Sequence, residues 1–578
     1  MSGNRTSAFS FFSSAISLGF LTVISQTVLL REMLVQLNGN EIVFSIFLSL
    51  WLVITGLGTL SHRISASFFD VYSKLRLLSL LYCLMPIIQF VLLRIAVEYF
   101  TPATGVVLDI PVVFLIGTLV LAPGCLTAGY IFPLICDFAP LSGRSLQTVY
   151  LLESVGMITG GLYLYTGVKF VHHMPILFSA VFLTLLMNRL AFGTVKRLIL
   201  TIILFVLTIF SNNIFHAMHN TVYKPDTLLI TSDSPFGRLD VTDSGNQKNY
   251  YWNGQFMASD KTGQKVYKNT GFSFLQHEAP ESVLVIGGLF SGYAKIFSKQ
   301  YGLKQIHFTE MDPDVVSLWK KTVPDNIHEK VEIFPIDALR FLRTTEDRYD
   351  IVFLNLPDPL SMQVNRYYTK EFFELLSSRL SPGAAVITNI STGRDIVLEE
   401  QRSYAGIIWK TFSEVFKNTV FIPGDDVLFI GSSDSYISND LDTLTKRYHE
   451  KEIDIPWFTP AVILSSCNDL GKNRFMESIG RIDQYRINTF AEPEAFLASL
   501  QFNFRKFGLK VRPAVKWLRS NSFKVFVMIF IILAFWILVL GLLAGDGFSM
   551  INNFNIFSAS FSLFSIQVIL LYLFQTYY

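Results

Sequence analysis

Four short segments carry glycines and acids at the spacing a nucleoside site needs. Val283-Leu-Val-Ile-Gly-Gly288, with Gly292 close behind, reads as a buried strand running into a glycine turn. Such a turn lets a ligand approach the backbone, and the following helix N-terminus favours negative or polar groups. Glu310 closes the next strand, where an acid can accept both hydroxyls of a ribose. Asp337, followed by Ala338, ends a third strand, where an acid can accept from an adenine amino group. Asn355-Leu-Pro-Asp-Pro359 closes a fourth, where the reacting group of a nucleoside cofactor would sit. The glycine turn alone is shared with dinucleotide enzymes. Glu310 with Asp337 and a polar fourth-strand loop points further, to ribose and adenine. The competing reading is that Glu310 and Asp337 cap helices.

Those residues need a sheet to present them. Lys304–Glu310, Val331–Ile336, Tyr349–Leu354 and Ala384–Asn389 read as strands. Helices are expected over Tyr293–Gln300, Pro313–Lys321, Ala338–Arg343 and Lys370–Leu380. This alternation implies a doubly wound parallel sheet, with ligands bound beyond the strand C-terminal ends. Upstream, Thr227–Thr231, Arg238–Thr242 and Tyr250–Met257 alternate like strands, with Ser244-Gly245-Asn246 as a hairpin turn.

The flanks are of another kind. The chain has 578 residues, is 51% hydrophobic and only 16% charged, and its mean hydropathy is +0.42. A soluble protein carries about a quarter charged residues. The deficit lies outside 223–520. A net charge of +2 implies no nucleic-acid partner. Cys83, Cys125 and Cys136 lie in or beside apolar segments and Cys467 in the polar region. No pair has metal-ligand spacing, so no metal is expected and no disulfide framework can be read.

A spanning helix needs roughly 20 mostly apolar residues. The candidates are 11–30, 41–60, 76–97, 108–132, 149–168, 174–190 and 197–216, then 523–544 and 556–574. The first is the weakest by hydropathy, interrupted by Ser13, Ser14, Ser17, Ser25 and Gln26; lacking a cleavage site, it is expected to be a retained helix. Glu153 is an ionisable group in an apolar segment, a candidate site residue or an interfacial one that snorkels. Gly156, Gly160 and Gly161 suggest close helix packing.

Sidedness is contested. Arg63, Lys74 and Arg76 share a side with Arg189, Lys196 and Arg197, which makes that side cytoplasmic. Seven full spans would put the polar domain outside. Arg505, Lys506, Lys510, Arg512, Lys516, Arg519 and Lys524 argue for inside, as does the seventh segment if Ser211-Asn212-Asn213 interrupts it. The expectation is a multi-pass protein of the cell membrane with a cytoplasmic domain. The mixed aromatic and basic run 503–519 suits an anionic membrane surface or a solvated linker.

Several motifs in order then resemble the spermidine synthase family. They are Ser234-Pro-Phe-Gly-Arg-Leu239, Tyr251-Trp-Asn-Gly-Gln255, Pro280–Gly288, Glu310-Met-Asp-Pro-Asp314, Ile336-Asp-Ala338, Tyr349-Asp-Ile351 and Tyr367–Leu375. Arg486–Phe496 and Gly19–Gln26 resemble signatures of variants fused to membrane helices. The resemblance implies a multi-spanning α-helical membrane protein with an inserted α/β methyltransferase-like (Rossmann-like) domain preceded by a small β-hairpin domain. The expected organisation is helices over 1–222, the hairpin domain over 223–278 and the nucleoside-binding domain over 279–440. A C-terminal extension and basic linker then cover 441–520, with two further helices over 521–578.

By that resemblance the protein would transfer aminopropyl from decarboxylated S-adenosylmethionine to putrescine or a related amine. Gly287, Gly288 and Gly292 would form the cofactor turn, Glu310 would hold the ribose, and Asp337 and Ala338 would meet the adenine. Gln255 and Tyr267 would line the amine entrance, and a homodimer would form through the hairpin domain. Three departures stand out. Phe290 replaces an Asp of the glycine loop, Asn355 replaces the Asp that acts as general base, and Tyr267-Lys-Asn269 lacks the family's acid. Only Asp358, the second acid of the fourth-strand loop, is matched. A positioned base contributes about 10²–10⁴-fold, and Asn cannot take a proton. Three readings follow: an aminopropyltransferase with Asp358 as base; an S-adenosylmethionine-dependent N-methyltransferase, because Asn355-Leu-Pro-Asp358 resembles the Asn-Pro-Pro-aromatic loop of amino methyltransferases; and a catalytically weak nucleoside or amine sensor serving the helices as transport partner.

Overall fold

A computed structural model describes residues 2–37, 41–64, 71–100, 108–141, 144–187, 194–234, 236–300, 302–391, 398–424, 426–506, 511–543 and 566. The chain divides into two compact units, Met1–Lys261 and Thr262–Tyr578.

The first unit begins with seven helices: α1 (Ser2–Gln36), α2 (Glu41–Ile64), α3 (Val71–Phe100), α4 (Ile110–Leu141), α5 (Leu146–Gly167), α6 (His173–Met187) and α7 (Thr194–Val222). Five contain stretches long and apolar enough to cross a membrane: Phe11–Gln36, Glu41–His62, Lys74–Phe100, Ile110–Pro140 and Ile199–Val222. α5 is not among them, and α6 is a shorter apolar helix. The segment expected at 556–574 lies outside the described residues apart from Ile566. The serines that weaken the first segment have a place: 67% of its apolar window is buried, against 22% to 39% in the other four. Ser13, Ser14, Ser17 and Ser25 are all buried among the helices. Glycines bring α1 and α5 into backbone contact. A Cβ at Gly156 would lie 2.2 Å from the Ile16 carbonyl oxygen, and one at Gly19 would strike the Glu153 carbonyl. α7 differs from expectation. It runs unbroken through Ser211-Asn212-Asn213, because Ser211 is buried and its hydroxyl bonds back to the Thr208 carbonyl at 2.6 Å.

A four-stranded antiparallel sheet follows, β1 (Thr227–Asp233), β2 (Arg238–Asp243), β3 (Lys248–Trp252) and β4 (Gln255–Ser259), in the order β1-β2-β3-β4. The single strand expected over Tyr250–Met257 is two strands, because Asn253 and Gly254 both take positive φ, 49° and 77°, and reverse the chain. An Asn-Gly pair between apolar runs is the strongest short hairpin signal.

A chain of buried polar contacts joins this sheet to the helices of the same unit. Arg238 on β2 is fully buried and donates to Glu32 of α1 at 2.5 Å and to Asp233 at 2.8 Å. Glu32 also accepts from Arg94 of α3 at 2.8 Å. Arg94 meets His219 of α7 at 2.7 Å, His219 meets Asp240 at 3.0 Å, and Asp240 accepts from Tyr223 at 2.8 Å. Burial opposes the charge on Asp233, yet Arg238, His172 and His173 hold its carboxyl well below the usual carboxylate range.

The second unit opens with α8 (Gln264–Leu275), β5 (Ser282–Ile286), α9 (Tyr293–Phe297), β6 (Gln305–Thr309), α10 (Pro313–Thr322) and α11 (Asp325–His328). It continues with β7 (Glu332–Phe334), α12 (Ala338–Thr344), β8 (Tyr349–Leu354), α13 (Met362–Asn365), α14 (Lys370–Ser377), β9 (Leu380–Ser391) and α15 (Glu399–Val415). β10 (Asn418–Ile422), β11 (Asp426–Ser432), α16 (Leu441–Glu450), α17 (Pro460–Ser466), α18 (Asp469–Ile479), α19 (Glu494–Lys506), α20 (Arg512–Ser520) and the apolar α21 (Ser522–Leu543) complete it. The seven-stranded order is β10-β11-β9-β8-β5-β6-β7. The sheet is mixed, not parallel throughout: β11 runs antiparallel to β9, and β10 antiparallel to β11. The reason is the short β10–β11 connection, which can join only antiparallel neighbours. The remaining pairings are parallel. Aromatic rings of α14 and α15, Phe373 and Phe412 among them, pack edge to face between the helices, and this core fixes the strand ends.

Candidate functional site at the strand ends

β5 is buried along its apolar run and delivers the chain into the glycine turn. Gly287, Gly288 and Gly292 have φ of 76°, 63° and 99°, a region that suits glycine and costs other residues strain. Gly288 is also confined from outside, because a Cβ there would sit 1.9 Å from the Asn355 amide nitrogen. Asn355 follows β8, and its backbone N–H donates to the Ile286 carbonyl at 3.0 Å. Its side-chain amide donates to the Ser291 hydroxyl at 2.9 Å and to the Gly288 carbonyl at 3.3 Å. Both amide hydrogens are committed to the turn. Only the side-chain carbonyl oxygen is left for a ligand. Phe290, within the same turn, is buried.

Glu310 follows β6, its N–H bonded to the Phe334 carbonyl at 3.1 Å. The side chain is half-buried, and its Oε1 accepts from the Asp312 N–H at 3.4 Å. Burial pushes its carboxyl up to about 7, against backbone N–H groups of Asp312, Met311 and Leu289 that favour the charged form. No Lys or Arg pairs with it among the described residues. The cap of α10 is Asp312, which accepts from the Asp314 N–H.

Asp337 is the N-cap of α12 and accepts from the Arg340 N–H at 3.1 Å. Its other oxygen accepts from the buried Arg366 at 2.6 Å and from the Tyr367 hydroxyl at 2.5 Å. Ala338 is buried in the first turn.

Asp358 stands three residues beyond Asn355. Its Oδ1 accepts from the Tyr404 hydroxyl at 2.6 Å and from the Ser391 N–H at 3.3 Å. Burial raises its pKa, and the bonds from Tyr404 and Ser391 act the other way. The loop around it is pinned along its length. Tyr368 donates to the Leu356 and Pro357 carbonyls at 3.3 and 3.1 Å, and Ser499 of α19 donates to the Pro359 carbonyl at 2.6 Å.

Tyr267 lies half-buried on α8. Asn269, two residues on, is buried and donates to the Tyr293 hydroxyl at 3.2 Å. Gln255 belongs to the first unit, exposed at the start of β4 opposite Trp252. The sequence did not single out Tyr404, Arg366 or Ser499, and Tyr368 entered only within the Tyr367–Leu375 motif. It did quote Arg486–Phe496, and that segment has a structural job. Asn488, fully buried, donates to Asn365 Oδ1 at 3.1 Å and to the Tyr368 carbonyl at 2.9 Å, and accepts from the Ala495 N–H. Among the described residues no group of three or more His, Cys, Asp or Glu side chains is placed to hold a metal ion.

A glycine turn and three carboxylates at the C-terminal edge of a largely parallel sheet define an α/β domain of Rossmann-like type. Residues 268–423 match the family model described as Spermine/spermidine synthase domain. The spermine/spermidine synthase likeness is carried by this domain and not by the chain as a whole. A polyamine aminopropyltransferase of Oceanobacillus iheyensis is 28% identical over 179 residues, 29% of this chain and 34% of the relative. One from Korarchaeum cryptofilum is 27% identical over 188 residues, 31% of this chain and 58% of the relative. The chain thus spans between a third and three-fifths of the length of these curated relatives. Among solved structures, spermidine synthase from Thermotoga maritima aligns with a TM-score of 0.35 at 15% identity, over 44% of this chain and 87% of that one.

Proposed function

We propose that the protein is a membrane-bound, aminopropyltransferase-like enzyme that moves aminopropyl from decarboxylated S-adenosylmethionine to an amine, with Asp358 as general base. The amine nitrogen attacks the aminopropyl carbon next to the sulfonium. The carbon–sulfur bond breaks, methylthioadenosine leaves, and the proton from nitrogen goes to Asp358. The glycines of the turn give the donor access to backbone. Glu310 takes the ribose hydroxyls. Asp337 has three donors already, and since a carboxylate has about four lone-pair sites, one is left for the adenine amino group beside Ala338. Tyr267 stands towards the amine. The observation that carries the reading is Glu310: a half-buried carboxylate beside the glycine turn that no cation pairs with among the described residues. A ribose diol adds hydroxyl donors to the backbone N–H groups that already favour its charged form.

Asn355 favours a second reading, N-methylation from S-adenosylmethionine. Its amide hydrogens are spent on the turn, so its carbonyl oxygen is oriented to accept from an amine without removing the proton. Calorimetry on the full chain with decarboxylated S-adenosylmethionine, S-adenosylmethionine and methylthioadenosine, followed by product analysis with putrescine, separates the two. Binding of the decarboxylated donor with spermidine formed supports the first. Preference for the carboxylated donor supports the second. Nucleoside binding without turnover leaves a binding domain.

The membrane assignment belongs to the proposal as well. The five apolar helices are placed across the bilayer, and the chain beyond residue 222 on the cytoplasmic side, where Arg505, Arg512 and Lys516 precede α21. The opposite placement has its own support. Glu32 and His219, near the C-terminal ends of α1 and α7, meet Arg238 and Asp240 of β2, and Arg94 near the C-terminal end of α3 bonds both Glu32 and His219, so the sheet sits at the end away from Lys74, Arg76 and Arg144. A reporter fused after residue 222 decides between them.

A further inference from the structure

We infer that Tyr404 is a positioning residue for Asp358, fixing which carboxylate oxygen faces an incoming amine. The inference rests on the aminopropyl-transfer reading for its kinetic arm alone. Tyr404 is buried on α15, between residues that pack into the domain core: Ala405 and Ile408 are buried beside it, and Trp409 meets Phe429 of β11 with ring centroids 4.8 Å apart. A ring held this firmly cannot swing its hydroxyl to solvent. The oxygen meets Asp358 Oδ1 at 2.6 Å, the length of a charge-assisted O–H···O⁻ bond. The Ser391 N–H reaches the same oxygen from the end of β9. The Ser391 side chain also bonds this carboxylate, and Asp426 faces it as a like charge; with Oδ1 taken twice, Oδ2 is the oxygen left to receive the proton.

The surroundings of this pair give it purpose. Burial alone would keep a carboxyl here protonated and useless as a base. Tyr404 stabilises the ionised form, and burial keeps that form basic enough to act. The tyrosine contacts no reacting atom; it works through Asp358. Because Tyr368 and Ser499 hold the backbone of the same loop, the side-chain bond is the adjustable element of an otherwise fixed segment.

The test uses the full chain in detergent or nanodiscs, comparing wild type, Tyr404→Phe and Tyr404→3-fluorotyrosine. Two quantities are read: the acid limb of kcat/KM against pH, and the infrared carboxyl band that disappears in Asp358→Asn, titrated without substrate. A hydrogen bond to a charged group is worth about 1.5–3 kcal/mol, so its loss moves the titration up by about one to two pH units. Tyr404→Phe should therefore shift both readings upward, and the fluorotyrosine, a stronger donor of unchanged shape, should shift them downward. A purely structural tyrosine would alter melting temperature and leave both titrations where they are, and that result overturns the inference. If wild type turns over no donor, the aminopropyl reading has failed, and the infrared titration alone decides the role of Tyr404.

Discussion

Asn355 and Ser291 share a hydrogen bond of 2.9 Å that ties the end of β8 to the glycine turn after β5. Ser291 in turn donates to the Gly288 carbonyl at 2.6 Å, so amide, hydroxyl and carbonyl form one closed set. A carboxylate at position 355 could not donate to either partner. Asn355→Asp would set an anion against the Gly288 carbonyl unless Ser291 turned its hydroxyl round. The expected cost is about 1–2 kcal/mol, the value of an unmade buried hydrogen bond, measurable by denaturant melts of the full chain. Ser291→Ala should lose about 1 kcal/mol, and the double variant should lose less than the sum because the two residues share one interaction. Additive losses would show that the amide does not bridge the turn.

Glu310 makes stability and binding oppose one another. Its folded-state pKa of about 7 lies above the ordinary 4.5. The folded form therefore holds its proton more tightly than the unfolded chain. That contribution is fully present below about pH 4.5 and is lost as the pH rises through 7. Glu310→Gln removes the dependence. The variant should match wild type near pH 4.5 and exceed it at pH 8 by about 1 kcal/mol, a figure reduced for the half-exposure of the group.

The same carboxyl gives a signature for ligand binding. Ribose hydroxyls donate to the ionised form, so an adenosyl compound that binds here at pH 6 must release a proton. Calorimetry of methylthioadenosine in two buffers of different ionisation heat should give different apparent enthalpies with wild type and the same enthalpy with Glu310→Gln. Equal enthalpies with wild type would place the nucleoside somewhere other than Glu310.

What was legible in the sequence follows from range. β6 and β8 end within a residue of their expected ends, and Glu310 and Asn355 follow them, because short buried runs bounded by Gly, Pro and Asp announce themselves locally. The hairpin β10–β11 and the helix α15 lie in a stretch where no such alternation was read, so the sheet was taken as parallel. Tyr404 and Asp358 are 46 residues apart. Arg238 and Glu32 are 206 apart. An arginine in an alternating strand looks solvent-facing until its acid arrives from a distant helix. The Asn253-Gly254 turn is a different miss, since its signal was local and stood in plain view.

The Arg238–Glu32 pair makes a last prediction, about what holds β1–β4 in place. Arg238 is fully buried, and its two carboxylate partners, Glu32 and Asp233, lie on α1 and β1. Breaking a buried pair by removing one partner costs about 3–5 kcal/mol, because the other charge is left uncompensated. Arg238→Met should therefore expose residues 223–261 of the full chain to limited proteolysis. Adding Glu32→Gln removes one stranded carboxylate, so the double variant should recover part of the protection. A fragment beginning at residue 223 leaves Arg238 without Glu32 altogether, and its sheet should be cut as readily as in the single variant. If the fragment's sheet resists protease as well as the full chain does, the helices are not what keeps the arginine paired.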